Sequence, residues 1–362
     1  CIAWFAAHWF PGREMGFMLS LTLAGFPFGC LIMFPVSHKI YHIYNKWVSV
    51  YYVLGAATTV WAYVWQALIW DDPFSHPYIT KGELEFLADV IPMYAYDTEL
   101  EPGWRWPWKS ILTSGPLLTL ALAEIGYAWL THFATFVIPT LYFPYIHNHR
   151  FINNESFGGL IYAMMALSML AAGVTRDRLV SNRWFHVTNV LKTYYAVGTV
   201  LASVFLLFLA HAGCNLTTVY MWYIAAMTCV GIGYAAWTDA CVAIAPNFAP
   251  TNVAITGMLG DVGLPLQVLV EGNMSTNGHL EDWKLLSYMN AAFTIFSVAI
   301  FLKFGKCNLQ PWNEPKTQRW VDIDYENEED NDAKPEKPIA HANAGEPTER
   351  REFVEEIKQA RN

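Results

Sequence analysis

Two acidic residues of this sequence lie inside long apolar segments, where an ionisable side chain is costly. Glu124 lies about fourteen residues into the apolar stretch 110–135, and Asp261 lies about ten residues into the stretch 251–271. A charged residue at the centre of a membrane helix costs about 2.5–3.5 kcal/mol on insertion scales, so its presence calls for a reason. One reason is reversible uptake of a proton, which is the chemistry of ion-coupled transport. The alternative is a neutral carboxyl that only hydrogen-bonds to a neighbouring helix or, for Asp261, a residue that is merely tolerated.

Two further polar side chains follow Glu124 in the same stretch. Tyr127 and His132 lie at i+3 and i+8, near enough to the face of Glu124 to line a shared aqueous path. The histidines have no spacing typical of metal ligands, and the strings H-E-x-x-H and G-x-S-x-G do not occur. We therefore expect no catalytic residue, no metal and no cofactor, and we predict that the chain is not an enzyme.

A second group of charges lies where another apolar stretch ends. Asp177 and Arg178 are adjacent there, and a carboxylate at a helix end can cap unpaired amides and pair with a neighbouring arginine. This arrangement fits either a gating latch or a plain topological anchor. Asp239, near the end of a different stretch, is expected to be solvated. Gly25 and Gly29 lie on one helical face and are expected to let a neighbouring helix approach closely.

The composition of the chain excludes most soluble proteins. Of its 362 residues, 54% are hydrophobic and only 15% are charged. Residues 313–362 carry 14 acidic and 8 basic side chains, so most of the net charge of −9 lies in this tail. A polar tail on an apolar body is typical of a polytopic membrane protein. Because no basic stretch could follow a phosphate backbone, nucleic-acid binding is excluded as a main function.

The apolar stretches predict the fold class. Crossing a bilayer takes roughly 20 apolar residues per helix, and lipid cannot hydrate exposed backbone groups. We therefore predict an all-α bundle of membrane helices, with a tail too polar to fold. The predicted spans are 16–36, 48–70, 110–135, 157–175, 188–212, 217–238, 251–271 and 284–304. Residues 1–10 could be the end of a ninth span, and the chain is expected to be a fragment because it opens on Cys1 in an apolar segment.

Two independent patterns predict the same orientation. With the polar loop 71–109 in the cytosol, the inside loops carry nine Lys and Arg residues and the outside loops carry four. All three N-x-[ST] sequons, at Asn154, Asn215 and Asn273, then fall outside, and Asn154 is the best candidate for N-glycosylation. The C-terminal tail is predicted to be cytosolic. Four histidines are placed in outside loops as solvated residues, with pH sensing as the alternative: His38, His42, His147 and His149.

Six strings, in order along the chain, match motifs of one family. They are Trp9-Phe-Pro-Gly-Arg-Glu14, Gly25-Phe-Pro-Phe-Gly29 with Pro35, Pro73-Phe-Ser-His-Pro-Tyr-Ile-Thr80, Gly173-Val-Thr-Arg-Asp-Arg178, Ile244-Ala-Pro246 and Phe304-Gly-Lys-Cys-Asn-Leu-Gln-Pro-Trp312. The sequence therefore resembles the anion:cation symporter family, solute carrier family 17, of the major facilitator superfamily. That family includes sialin, the vesicular glutamate transporters and the sodium/phosphate cotransporters.

The resemblance implies a fold of two six-helix bundles, of which this chain would lack about the first three and a half of twelve helices. Residues 1–72 would be the remainder of the N-terminal bundle, and 73–109 a cytosolic central loop. Residues 110–306 would be the C-terminal bundle, and 307–362 the disordered cytosolic tail. Gly25, Gly29 and Pro35 would be helix-packing residues, and Gly173, Asp177 and Arg178 would form a gating loop.

The resemblance also implies a function. The protein would be a secondary active transporter that carries small organic anions or phosphate together with H⁺ or Na⁺ by alternating access. It would lie in the plasma membrane or in a lysosomal or vesicular membrane. Tyr127 is sialin-like, because the family's glutamate transporters have arginine there. The family's N-H-L-D string reads Ala240-Cys-Val-Ala243 here, which favours the alternative of a non-transporting degenerate paralogue or truncated product that acts as a membrane scaffold.

Overall fold

The regular structure is entirely helical over the residues that the computed structural model describes. These residues are 2–12, 14–70, 73, 76–90, 107–143, 155–182, 184–213, 215–274 and 280–313. Helices α1 to α6 are Ile2–Trp9, Met15–Leu23, Gly25–Tyr44, Val48–Leu68, Lys81–Val90 and Trp108–Leu112. Helix α7 is Gly115–His132, and it continues as a π-helical segment, Phe133–Tyr142. Helices α8 to α12 are Glu155–Ser181, Val187–His211, Leu216–Ile244, Ala249–Met274 and Leu280–Phe304, and 3₁₀ turns occupy Pro246–Phe248 and Pro311–Asn313.

Eight helical stretches of the described chain are long and apolar enough to cross a membrane. Helices α2 and α3 together form the first, Met15–Tyr44, and the eight stretches follow the predicted spans in number and order. The all-α membrane bundle predicted from the sequence is therefore confirmed. The first stretch is longer than predicted, because α3 continues to Tyr44. The prediction that His38 and His42 lie in a loop is wrong, since both are in the last turns of α3.

Glycines let several helices of the bundle approach one another closely. Helices α9 and α10 pack side by side, and a Cβ added to Gly198 would lie 2.6 Å from the backbone nitrogen of Gly233. At this crossing the two backbones are in direct contact, as small residues allow in membrane helices. Helices α11 and α12 pack on α7, and α2 and α3 pack on α8.

Buried tyrosine hydroxyls connect the helices of the bundle core. Tyr127 donates to the carbonyl oxygen of Val230 at 2.8 Å, and Tyr195 donates to that of Ala123 at 2.7 Å. A buried hydroxyl without a partner is destabilising, so these bonds fix which helix faces meet. The result is a polar network that ties α7 to α9 and α10.

Helix α4 has a different environment from the helices of the bundle. None of its residues is buried among the described part of the chain, and its main contact is with α3. The central polar segment, which is predicted to be a loop, contains one further helix, α5. The last described residue, Asn313, is held in place by Asn247, whose side-chain amide donates to the carbonyl oxygen of Asn313 at 2.9 Å. The predicted disordered tail lies outside the described residues beyond that point.

The bundle has an inner end and an outer end. The inner end is the one that holds Gly16, Asp177 and Asp239, and the outer end is the one that holds His211 and Glu271. The sequence predicts that the inner end faces the cytosol, and that orientation stays a prediction. The division into four segments also stays a prediction.

Candidate functional site

At the inner end, a carboxylate of α8 caps the N-terminus of α2. Asp177 accepts hydrogen bonds from the backbone N–H of Gly16 at 3.0 Å and from that of Phe17 at 2.7 Å. The first amides of a helix have no partner within that helix and lie at the positive end of its dipole. One carboxylate therefore satisfies two such amides, and it connects helices that are far apart in the sequence.

Two glycines make this contact possible. A Cβ added to Gly16 would lie 2.5 Å from Cδ of Arg176, and one added to Gly173 would lie 2.5 Å from the carbonyl oxygen of Gly16. Both helices therefore need glycine where they cross. The string 173–178 was predicted to be a loop between helices, but it lies entirely within α8, which continues to Ser181.

The arginine that pairs with this carboxylate is Arg176, whereas Arg178 is exposed. Nη1 of Arg176 lies 2.9 Å from Oδ1 of Asp177, and Nε of Arg176 lies 2.7 Å from Oδ2 of Asp239. The expectation that Asp239 is solvated is wrong, because this residue is only 4% exposed. It can be buried near the end of α10 because the guanidinium compensates its charge.

A cavity of about 400 Å³ lies beside this ion pair. Its lining includes Arg176, Asp239, His186 and Asn308, so that it combines charged and neutral polar groups. Cys307 also lines it, after the end of α12, and burial raises the pKa of its thiol to about 12. The cavity is therefore a mostly apolar space at the inner end, with an ion pair and a few neutral polar groups in its wall.

Glu124 is buried in the middle of α7. It is 6% exposed, and its Oε2 atom has no hydrogen-bond partner among the described residues. Helix α11 passes very close to it, since a Cβ added to Gly260 would lie 2.7 Å from Cγ of Glu124. A charge on a carboxyl buried in this way is costly, so its presence in the membrane span calls for a reason.

The other predicted path residues are arranged differently around Glu124. Asp261 is exposed on α11, next to the Gly260 that approaches Glu124. Tyr127 is 2% exposed, its hydroxyl is bonded to Val230, and its ring stacks on Tyr234 at a centroid distance of 6.3 Å. The structure therefore places Tyr127 near Glu124 as a packed core residue.

His132 belongs to a second polar cluster, which lies nearer the outer end. The side-chain amide of Gln267 donates to Oε1 of Glu271 at 2.8 Å and to the carbonyl oxygen of Trp129 at 3.1 Å. Asn290 of α12 also donates to the Trp129 carbonyl, at 3.4 Å. The sequence analysis missed Glu271 and Gln267, because Glu271 falls on the predicted last residue of its span. Their i,i+4 spacing on one helix face was the available signal.

The remaining predicted site residues lie apart from these groups. A Cβ added to Gly25 or Gly29 would meet no described atom within 4 Å, so their packing role stays a prediction. Pro35 lies inside α3. Among the glycosylation candidates, Asn154 lies outside the described residues. Asn215 caps the N-terminus of α10, and Asn273 lies in the last turn of α11.

Comparison with known proteins identifies relatives among transporters. The chain is 25% identical over 306 residues to human sialin, a match that covers 84% of this chain and 60% of sialin. It is 25% identical over 313 residues to sodium-dependent phosphate transport protein 1 of Rattus norvegicus, covering 86% of this chain and 66% of that protein. A probable vesicular glutamate transporter of Caenorhabditis elegans is 23% identical over 313 residues, covering 86% of this chain and 53% of that protein.

The chain thus spans roughly three fifths of the length of the relatives it matches. These relatives are transporters rather than enzymes, in agreement with the prediction made from the sequence. The family model of the Major Facilitator Superfamily matches residues 2–267, which is most of the chain. Together with the eight membrane-length helices, this match shows that the chain belongs to the Major Facilitator Superfamily.

Proposed function

We propose that the protein, in its complete form, is a secondary active transporter that moves small organic anions or phosphate together with a coupling cation. The observation that carries this proposal is Glu124, a carboxyl buried in the centre of a membrane helix with an unpaired oxygen. Its support comes from the relatives, which include sialin, a sodium-dependent phosphate transport protein and a probable vesicular glutamate transporter. Such transporters bind their substrate near the midplane and alternate access by rocking of helix bundles.

Glu124 acts in this proposal as the coupling residue, which takes up H⁺ or is neutralised by Na⁺. The close approach of Gly260 means that a small movement of α11 relative to α7 changes the surroundings of the carboxyl. Binding of H⁺ or Na⁺ at Glu124 and the packing of α11 against α7 are then linked. His132 and Asp261 line the pathway with it, and Tyr127 supports the pathway wall from the core through its bond to Val230.

The Asp177 contact acts as the latch at the inner end. Opening of the inner side requires α2 to separate from α8, which breaks the two hydrogen bonds to the amides of Gly16 and Phe17. Gly173 sets the distance between the helices, and Arg178 lies in the same string at the exposed end of α8. Arg176 holds the carboxylate in place when α2 returns.

Its location in the cell follows from the same proposal. The protein is a multi-pass component of the plasma membrane or of a lysosomal or vesicular membrane, with its C-terminal tail in the cytosol. Asn154 then lies on the outer side and carries an N-linked glycan, for which Asn215 and Asn273 are weaker candidates because each belongs to a helix end.

The experiment is uptake into proteoliposomes that contain the complete protein. Inorganic phosphate, sialic acid and L-glutamate serve as radiolabelled probes, with an inward H⁺ gradient, an inward Na⁺ gradient or no gradient. We expect gradient-stimulated uptake of at least one probe and loss of the stimulation in Glu124→Gln. Glu83→Gln, which changes an exposed acid on α5, is the matched control and should behave as wild type.

Two results would contradict the proposal. Gradient-stimulated uptake that survives in Glu124→Gln would remove Glu124 as the coupling residue. Absence of uptake for all probes, in a protein that is folded and inserted, would favour the non-transporting scaffold instead.

A further inference from the structure

A buried carboxylate that the proposed transport cycle does not use lies in the outer half of the bundle. Glu271 is 6% exposed although it is in the last turns of α11. Its partner Gln267 is fully buried and donates to it at 2.8 Å. A carboxyl in this position needs a reason as much as Glu124 does.

The polar cluster around Glu271 has unused hydrogen-bonding capacity. Oε1 of Gln267 and Nδ1 of His132 are both buried, and neither makes a well-directed hydrogen bond among the described residues, although the two side chains are close enough to interact. Buried polar atoms are usually well paired, so this weak contact between facing side chains marks a site that can rearrange. Imidazole, amide and carboxyl then form a continuous series from α7 to Glu271.

The backbone of α7 also changes at this point. The π-helical segment, Phe133–Tyr142, starts immediately after His132, and the imidazole stacks on Phe136 at a centroid distance of 5.2 Å. Wide turns of this kind are rare and often occur at functional sites. His132 thus lies at a junction between two helix geometries.

The cluster lies in the contact between helices α7 and α11, which also contains Glu124 and is called the α7–α11 seam. Gly260 contacts Glu124, Gly263 contacts Trp129, and Gln267 bonds to the carbonyl oxygen of Trp129. Helices α7 and α11 therefore run side by side in the same direction from the bundle centre to the outer end. Glu271 is at the outer end of a seam that has Glu124 at its middle.

We propose that Glu271, with Gln267 and His132, forms an outer proton-binding site through which a coupling proton enters the α7–α11 seam on its way to Glu124. The inference rests on the proposed transport function, which it extends by assigning a proton as the coupling ion. In the step itself, a proton from the outer aqueous phase binds the Glu271 carboxylate and gives the neutral acid. No other bond is formed or broken, and the proton leaves later towards Glu124.

The chemistry of the cluster favours a proton over Na⁺. The N–H groups of the Gln267 amide point at Glu271 Oε1 and at the Trp129 carbonyl oxygen, so they occupy the space between these oxygens where a hard metal ion that bridges them would lie. His132 faces the cluster from α7, and Asn290 is the polar contribution from α12. The charged groups in the first turns of α12 are Glu281, Asp282 and Lys284, of which Glu281 and Lys284 pair at 2.8 Å.

The direct test is infrared spectroscopy of the purified complete protein, titrated between pH 5 and 8. The stretching band of a protonated carboxyl reports its occupancy without any substrate. We expect one pH-dependent band to disappear in Glu271→Gln and a shifted band in His132→Gln. Glu281→Gln, which removes an exposed acid from the same end of the bundle, should leave that band in place.

The functional arm measures uptake of the radiolabelled probes into proteoliposomes as the outer pH is varied. Glu271→Gln should retain uptake while losing most of its dependence on outer pH, and Glu281→Gln should match wild type. If wild type takes up no probe but the pH-dependent carboxyl band disappears in Glu271→Gln, the result contradicts the proposed transport function and supports the proton-binding site. If wild type transports and Glu271→Gln changes neither the band nor the pH dependence, the proton site is overturned. A band that follows Na⁺ concentration at fixed pH would also overturn it.

Discussion

Arg176 and Asp239, 63 residues apart in the sequence, form a buried ion pair in which the guanidinium Nε lies 2.7 Å from Oδ2 of Asp239. Their side chains are 8% and 5% exposed. Burial of charge is unfavourable, and the mutual attraction offsets it only while both partners are present. Asp177 is a second carboxylate on the same guanidinium, so Arg176 compensates two negative charges.

Removal of the guanidinium should therefore be strongly destabilising. We expect Arg176→Gln to lower the free energy of unfolding by about 3–5 kcal/mol, because it leaves two carboxylates without their cation. Asp239→Asn should have a smaller effect, since Arg176 keeps Asp177. Unfolding of the purified complete protein in detergent, followed by tryptophan fluorescence, gives the values. Arg178→Gln is the control, and equal losses in the two arginine variants would contradict the buried role of Arg176.

The crossing of α2 and α8 should not tolerate a single methyl group. A Cβ at Gly173 would lie 2.5 Å from a backbone oxygen, which cannot move as a side chain can. Gly173→Ala should lower the unfolding temperature and weaken the Asp177 cap. Gly82→Ala, on the exposed helix α5 with no described atom within 4 Å, should be neutral or raise stability by about 0.5–1 kcal/mol. A stable Gly173→Ala variant would show that the two helices are further apart.

The hydroxyl of Tyr127 should matter for stability more than for transport. Its bond to Val230 is an ordinary buried hydrogen bond, so Tyr127→Phe should lower the free energy of unfolding by about 1 kcal/mol. Tyr52→Phe, on the exposed surface of α4, is the matched control. Uptake by Tyr127→Phe should remain close to wild type. If uptake falls tenfold while stability is unchanged, the hydroxyl takes part in the pathway directly.

Cys307 should be unreactive towards maleimides in the folded protein. A thiol with a pKa of about 12 is ionised in about one molecule in ten thousand at pH 8, and the thiolate is the nucleophile. Because the neutral form persists until the pH nears 12, the labelling rate should rise with pH throughout the accessible range. Mass spectrometry of labelled peptides measures it, with protein unfolded in SDS as the reference. Fast labelling of native Cys307 at pH 7 would show that the inner cavity is open to reagent.

Much of the fold was predictable because it depends on a local property. A membrane helix is recognised by a run of apolar residues, and each of the eight runs became a helix of the expected kind. The ends of the helices were less predictable, because a helix such as α3 can continue for two turns past its apolar portion. The predicted span ends at residue 36 because polar residues such as Lys39 and His42 follow it. These residues are compatible with helical backbone, and the helix continues through them.

The pairing of distant charges could not be predicted in the same way. Asp239 resembles a solvated residue near the end of an apolar run, and only the crossing of α8 and α10 brings Arg176 to it. Likewise, Glu124 was conspicuous because it interrupts an apolar centre, whereas Glu271 lies where polar residues are ordinary. Burial near a helix end depends on neighbouring helices, and a single sequence contains that information only indirectly.

The atoms that Asp177 binds on α2 are main-chain amides. Exchange of one side chain for another at Phe17 leaves its N–H in place, so most sequence drift along α2 keeps the donors intact. Only proline removes such a donor. Gly16 is held by the close crossing and Asp177 supplies the acceptor, whereas the side chain of Phe17 plays no part in the bond, so relatives should diverge faster at position 17 than at positions 16 and 177.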